Sequence, residues 1–407
     1  MNLALRPMPL EPVQLSSSAV CARPARIEVL TDLDEAACHW RTLEKPENIY
    51  SPYQRYDWVR LWHEHVSRPA GQTPCLVIGL DQSGVPLFLW PLLRTRLGPL
   101  IIATSFGGKH AALNLMLWRA DAARGLTADD MHAILAEVAR RAPDLDLIMV
   151  SNQPESWRGV PNPFALLAHQ RGTEDNFMMP LGLTGAQVVE RELSSSMRSR
   201  LRNRERKLVK LPGYRYVQAV NSEDVDRLLT AFFAQKAAKL AALGLEDVFA
   251  PEGVKDFIRA GCLTGLTEGQ PLIELHALEG DGECLALFSG LHDGHRYTLM
   301  FASHTASDHS RQSPGLILLQ HLVMNCADRG FESFDIGPGE AHYKTLFCKQ
   351  FEPIFDSILP LSPRGHAVVW PLRGLLWLKS TIKRTPILWR AASSLRAVLN
   401  RLRTPDS

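Results

Sequence analysis

Apolar positions along this chain switch between a helical and a strand period, and they do so twice in the same order. Residues 31–45 open on a Thr-Asp cap with an acidic first turn, and 53–65 place Tyr56, Val59 and His63 on one face, so both segments predict helices. The runs PCLVIGL (74–80) and VPLFLWPLL (85–93), joined by Asp81-Gln82-Ser83-Gly84, predict a hairpin. A third strand over 101–106, a helix over 127–141 and a strand over 145–151 follow. The second half repeats this order, with a strand at 214–220, helices at 223–243 and 252–259, and a strand pair at 272–278 and 284–290. A strand at 296–302, a helix at 314–329 and a strand at 332–336 complete it. The pattern predicts a mixed α/β (α+β) chain of two similar halves, although no residue-level repeat is visible.

The expected division is a Pro/Ser-rich, disordered lead-in at 1–24, a first half at 25–180, a second half at 181–361 and a basic tail at 362–407. The halves should meet between Arg171 and Thr184. A length of 407 residues, 45% of them apolar or aromatic, is enough for two cores. No apolar run reaches the roughly 18 residues of a membrane-spanning helix, and the first residues lack an apolar leader core, which makes the cytoplasm the default expectation.

A net charge of only +2 conceals two basic segments. Between Met197 and Lys210 seven basic residues face Glu205 alone, and from Leu361 onward nine face only Asp406, interleaved with Trp370, Trp377 and Trp389. The first segment reads as a solvated helix face, a site for an acidic substrate or nucleotide-sugar phosphate, or a nucleic-acid contact. Arginines at every second position wrap around a helix rather than lining one groove, and DNA is not expected. In the tail, 386–403 would align Leu388, Ala392, Leu395, Val398, Leu399 and Leu402, suited either to peripheral contact with an anionic membrane or to packing on the protein.

The candidate chemistry lies between Arg296 and Gln350. Ser313-Pro314-Gly315 opens a helix: Ser313 suits the N-cap, Pro314 the first turn, and Gly315 leaves room for close approach to the backbone. Such a helix start can bind phosphate, or it can simply be capped. Asp335-Ile336-Gly337-Pro338-Gly339-Glu340 leaves a strand through two glycines that would let substrate reach the backbone. Glu340, Tyr343 and Lys344 then stand at i, i+3 and i+4, either a reactive face or a solvated, salt-bridged turn.

These residues resemble the GNAT-type acyltransferase domain of the FemAB-like branch, which includes the CelD/BcsL proteins of cellulose and exopolysaccharide clusters. The likeness covers about 193–351 and rests on SMRSRLRNRERKL, the Ser-Pro-Gly helix start and DIGPGEAHYKTLF. Gln312-Ser313-Pro314-Gly315 fits the first four positions of the GNAT phosphate motif, while Ile317 departs from its final small residue. The resemblance implies two GNAT-like halves, each a mixed, mostly antiparallel sheet flanked by helices, with one active centre in the second. It implies that Gln312, Ser313 and Gly315 hold the diphosphate of acetyl-CoA or another acyl-CoA, and that Tyr343 protonates the departing thiolate. Asp335 or Glu340 is then the candidate base, and Gly337, Gly339 and Lys344 border the substrate.

In the first half, Lys109, His110 and Arg158 sit in loops after strands and are acceptor-side candidates, with ordinary loop polarity as the alternative. No cofactor is assigned there. The histidines lack paired spacing, the seven cysteines lack C-x-x-C, and Gly-x-Ser-x-Gly is absent, so neither a metal site nor a serine hydrolase is expected. The leading expectation is acyl transfer to an amine or hydroxyl of a sugar or envelope-polysaccharide precursor. The alternatives are a FemX-like aminoacyl transferase using charged tRNA, and a non-catalytic accessory subunit of a polysaccharide synthase.

Overall fold

The computed structural model describes residues 6–7, 23–339 and 341–384. They form two eight-stranded sheets and a small hairpin. The first sheet contains β2 (Arg26–Leu30), β3 (Thr73–Leu80), β4 (Pro86–Leu97), β5 (Leu100–Ser105), β7 (Leu147–Pro154), β10 (His169–Arg171) and β18 (Ile354–Pro360), with β6 (Leu117–Trp118) beside β4. Its order is β10-β18-β7-β5-β4-β3-β2, and its pairs are antiparallel except β5 with β7. The second sheet contains β1 (Arg6–Pro7), β11 (Asn176–Pro180), β12 (Arg215–Gln218), β13 (Glu274–Gly280), β14 (Glu283–His292), β15 (Arg296–His304), β16 (Ser333–Pro338) and β17 (Gln350–Glu352). Its order is β1-β17-β11-β16-β15-β14-β13-β12, parallel only at β1–β17 and β15–β16. The hairpin is β8 (Ser156–Trp157) with β9 (Val160–Pro161).

The fold is therefore two mixed, mostly antiparallel sheets flanked by helices, as expected from the tandem pattern. The sheets do not follow the chain order strictly. β11 precedes residue 181 yet joins the second sheet, and β18, near the end of the second half, crosses back to pair with β7 and β10 of the first. Within the segment expected as a disordered lead-in, Arg6 and Pro7 pair with Gln350 and Phe351.

The helices are α1 (Leu33–Leu43), α2 (Tyr56–Trp62), α3 (Ala120–Arg124), α4 (Ala128–Arg141), α5 (Gly185–Glu192), α6 (Ser195–Leu208), α7 (Ser222–Ala242), α8 (Val254–Leu263), α9 (Pro314–Asp328), α10 (His342–Phe347) and α11 (Pro363–Arg384). α4 starts on a capping box between Thr127 and Asp130 and turns Met131, Ile134 and Val138 onto one face of the first sheet. α2 covers the opposite face and also reaches the second half. Trp58 and Trp62 meet Phe257 of α8 edge-on, with ring centroids 5.2 and 5.1 Å apart. One apolar cluster thus runs from Leu76 and Ile78 of β3 through these rings to Leu275 and Leu287 of the second sheet. Fully burying each ring contributes about 1.5–3 kcal/mol relative to exposure, so this joint fixes the halves against one another. Gly253, with φ of +78°, passes so close to the His65 carbonyl that a Cβ there would collide with it.

Candidate active site

The site is a gap in the second sheet. β15 and β16 pair in parallel only at Arg296–Ser333, Tyr297–Phe334 and Thr298–Asp335, and then separate. Each strand carries a register shift beyond that point. Against β14, Phe301 and Leu299 face consecutive residues, leaving Met300 as the extra residue; against β11, Gly337 and Asp335 face consecutive residues, leaving Ile336. Bulges bend and twist the strand that holds them, so these two splay the pair apart. The opening is a cleft of about 710 Å³ with Met300 on one wall and Ile336 on the other. Ser313, Pro314 and Gly315 enclose one end, His342, Tyr343 and Lys344 another, and Lys109 reaches it from the first half.

The start of α9 differs from the expected cap. Ser313 adopts a left-handed conformation (φ 52°, ψ 55°), and its side chain makes no capping bond. Its hydroxyl instead accepts a 2.6 Å hydrogen bond from Arg204 Nη1 of α6. The Leu316 and Ile317 amides return to the Ser313 carbonyl at 3.0 and 3.3 Å, while the Gly315 N–H has no acceptor among the described residues. A Cβ on Gly315 would meet only the His304 Cβ, at 4.0 Å, so the space above this amide is open. Ile317 is buried in the core and turned away from the cleft. Gln312, expected beside the phosphate, is half-buried at the end of the preceding 3-10 turn and does not line the cleft.

Sequence reasoning missed two lysines here. Lys236 and Lys239 of α7 line the cleft. The Lys236 ammonium donates to the Ala302 carbonyl at 3.4 Å, and burial, reinforced by Lys239, holds it below the usual lysine range. Burial and the same two lysines keep His304 low. Their three-residue spacing was visible, but nothing in the sequence said that α7 lies over β15. An open helix N-terminus beside two ammonium groups fits a phosphate-bearing group such as the diphosphate of acyl-CoA.

The turn after β16 divides the expected residues. Asp335 is fully enclosed beneath the cleft and does not line it. It accepts from the Gly337 amide at 3.2 Å and lies 3.8 Å from Arg296, which pairs through two bonds of 2.7 and 2.9 Å with Glu352. Trp157 of the first half stacks on the Arg296 guanidinium at 3.9 Å. Burial pushes the Asp335 carboxyl up to about 6 against the pull of Arg296. This placement removes Asp335 as a base in contact with substrate. Glu340 lies outside the described residues. Gly337 (φ +87°) borders the cleft, whereas Gly339 does not: its amide bonds the Asp175 carbonyl at 3.2 Å and Glu174 fills the space beside it.

Tyr343 and Lys344 both reach the cleft but differ in freedom. The Tyr343 hydroxyl has no hydrogen-bond partner among the described residues, and burial raises its pKa, so the phenol keeps its proton near neutrality. Lys344 is not part of a solvated turn. It is buried, its ammonium donates to the carbonyls of Gly337 (2.9 Å) and Pro338 (2.7 Å), and burial brings it down to about 8.

On the acceptor side only Lys109 lines the cleft, where its ammonium also pairs with Glu246 at 3.4 Å. His110 donates to the Val248 carbonyl at 3.0 Å among the rings of Trp62 and Phe249, so it belongs to the joint between the halves. Arg158 donates to the carbonyls of Pro46 (2.6 Å) and Asn48 (3.5 Å), away from the cleft. Among the described residues no group of three or more His, Cys, Asp or Glu side chains is placed to hold a metal, and no helix is long and apolar enough to cross a membrane.

Residues 195–345 match the model of an acetyltransferase (GNAT) domain. Over that segment the chain is similar to GNAT acetyltransferase domains. Solved structures extend the likeness of fold over both halves. FemX aligns with a TM-score of 0.53 at 10% identity, covering 82% of this chain and 97% of that one. L-PGS from Bacillus licheniformis aligns with a TM-score of 0.50 at 9% identity, covering 89% and 99%. A conserved protein of unknown function from Bacteroides thetaiotaomicron aligns with a TM-score of 0.50 at 10% identity, covering 82% and 100%. No curated protein matches the sequence at a significant level. The segment 195–345 is thus GNAT-like in sequence, and both halves share the fold of these structures.

Proposed function

We propose that this GNAT/FemABX-like chain transfers an aminoacyl group from an aminoacyl-tRNA to an amine or hydroxyl of a small acceptor. The observation that carries this reading is the contact of basic helix α6 with the cleft. Arg204 reaches Ser313 at the cleft end, while Arg200, Arg202, Lys207 and Lys210 are exposed and make no ion pair among the described residues. Unneutralised cations beside an open helix N-terminus suit a donor that carries a run of phosphates. The likeness of fold to FemX spans both halves and supports the same reading.

In this reaction the acceptor nitrogen or oxygen attacks the ester carbonyl of the bound donor. The new C–N or C–O bond forms as the ester bond to the ribose oxygen breaks. Tyr343, protonated at neutral pH, gives its proton to the departing ribose oxygen and regains one from the attacking group. The lysines at the cleft hold donor phosphate, and Lys344 fixes the end of β16 through its two carbonyl contacts.

A second reading, transfer from acyl-CoA to a sugar or envelope-polysaccharide precursor, is favoured by the family match at 195–345 and by the unpaired Gly315 amide. Here the carbon–sulfur bond breaks and Tyr343 protonates the thiolate. Protein purified at low salt, with bound nucleic acid sequenced, and melted with and without acetyl-CoA, distinguishes them. Bound tRNA with no shift by acetyl-CoA is the expected result. A rise in melting temperature with acetyl-CoA and no bound RNA would replace the first reading with the second.

A further inference from the structure

We propose that α11 docks the protein on the surface of an anionic lipid bilayer. One face of this helix belongs to the fold. Val369, flanked by Val368, Leu372 and Leu376, packs on Leu100, Ile102, Leu147 and Ile358. The helix is fastened at both ends of that contact. Ser362 donates to Asp146 at 2.6 Å before its first turn, and Arg373 donates to the Ile358 carbonyl at 3.0 Å while accepting from Gln170 through its own carbonyl at 3.2 Å.

The other face is apolar and exposed. Trp370 and Trp377 are 75% and 64% exposed, and Leu375 and Leu378 are 62% and 49% exposed. Residues 370, 377 and 378 fall within about a quarter-turn of one another on a 3.6-residue helix. Two exposed indoles on a helix anchored by its opposite face are costly in water, whereas an indole has an apolar body and one N–H suited to the headgroup boundary.

Charge selects the occupant. From Leu361 to Pro405 the chain has no Asp or Glu and nine Lys or Arg. A second copy would bring the same positive charge to the contact, and an uncharged surface would not use it. An anionic bilayer matches both the sign and the apolar face, and each basic residue near such a surface contributes about 1 kcal/mol at low salt. The arrangement describes a helix lying on the membrane, held parallel to it by the first sheet.

The test is co-sedimentation of the full chain with vesicles of phosphatidylcholine alone or mixed with phosphatidylglycerol, at low and high salt. The expected result is binding to the mixed vesicles that weakens with salt, little binding to neutral ones, and an approximately tenfold loss in the double variant Trp370→Ser, Trp377→Ser. Both sites are exposed, so its melting temperature should match that of the parent chain. Absence of sedimentation, equal binding to neutral vesicles, or an undiminished double variant overturns the proposal. So does a parent dimer that the double variant turns into a monomer, because the face would then bind a second copy. The readout is independent of transfer activity and does not bear on the donor.

Discussion

Arg204 of α6 donates a 2.6 Å hydrogen bond to the hydroxyl of Ser313 at the mouth of α9. Two features separated by more than a hundred residues, a basic helix and a Ser-Pro-Gly helix start, thereby become one site. A charged hydrogen bond of this kind contributes about 1.5–3 kcal/mol. Arg204→Met should raise the KM for donor about tenfold and leave kcat within about twofold, measured by steady-state transfer. An equal fall in kcat with unchanged KM would place Arg204 outside donor binding.

Tyr343 lines the cleft, and its phenol has no hydrogen-bond partner among the described residues. Tyr343→Phe removes the proton donor and little else, so kcat should fall about 100-fold while the dissociation constant for donor changes less than about twofold. Turnover at the parent rate would remove Tyr343 from the mechanism.

Gly315 has room for a methyl group, since the nearest atom to its Cβ position is 4.0 Å away. Gly315→Ala should therefore fold normally and could gain up to about 1 kcal/mol in helix propensity, yet crowd the open amide and weaken donor binding several-fold. Calorimetry and donor titration separate the two effects. Loss of stability instead would show that the space is not open.

Much of this fold could be read from the chain, but the site only in part. Periodicity marks the helices of both halves and the hairpins that carry β3–β4 and β13–β14, because each buries one face with a regular spacing. It does not mark β11, a five-residue run at the point taken as a boundary, nor α5 beside it. The run that forms β18 is apolar, but its pairing with β7 depends on strands some two hundred residues away. Ser313 has the residue type of an N-cap, and only tertiary contact with Arg204 explains why its hydroxyl is used otherwise. Glycine spacing pointed to Gly337, whereas the cleft itself needs two bulges at Met300 and Ile336 that have no sequence signature. The helix reading over 386–403 lies outside the described residues.

Two buried groups near the cleft set opposite trends of stability with pH. Asp335 is pushed from 3.8 to about 6, so between these values the folded chain holds a proton that the unfolded chain has lost, and stability falls as pH rises. Lys344 is brought from 10.5 to about 8, so between those values the unfolded chain holds the extra proton and stability rises with pH. Asp335→Asn should abolish the acid-side trend and leave the alkaline one. Urea denaturation at pH 4.5, 7 and 9.5 reads both, and an unchanged acid-side slope in the variant would assign it to another group.

Because Trp58 and Phe257 join the two sheets through one core, the halves should unfold together. Phe257→Ala should cost about 3–5 kcal/mol and lower a single transition rather than reveal two. Calorimetry showing separate transitions in the parent chain would contradict a shared core.

In the proposed reaction α6 and the α9 mouth together hold a polyphosphate donor, an aminoacyl-tRNA. Filter binding of aminoacyl-tRNA to the parent chain and to a variant with Arg200, Arg202 and Lys207 changed to Glu tests it most directly. The expected result is binding by the parent that tightens as salt falls, and at least about a hundredfold weaker binding by the variant at an unchanged melting temperature. Equal binding by the two proteins, or no binding by the parent, would contradict it.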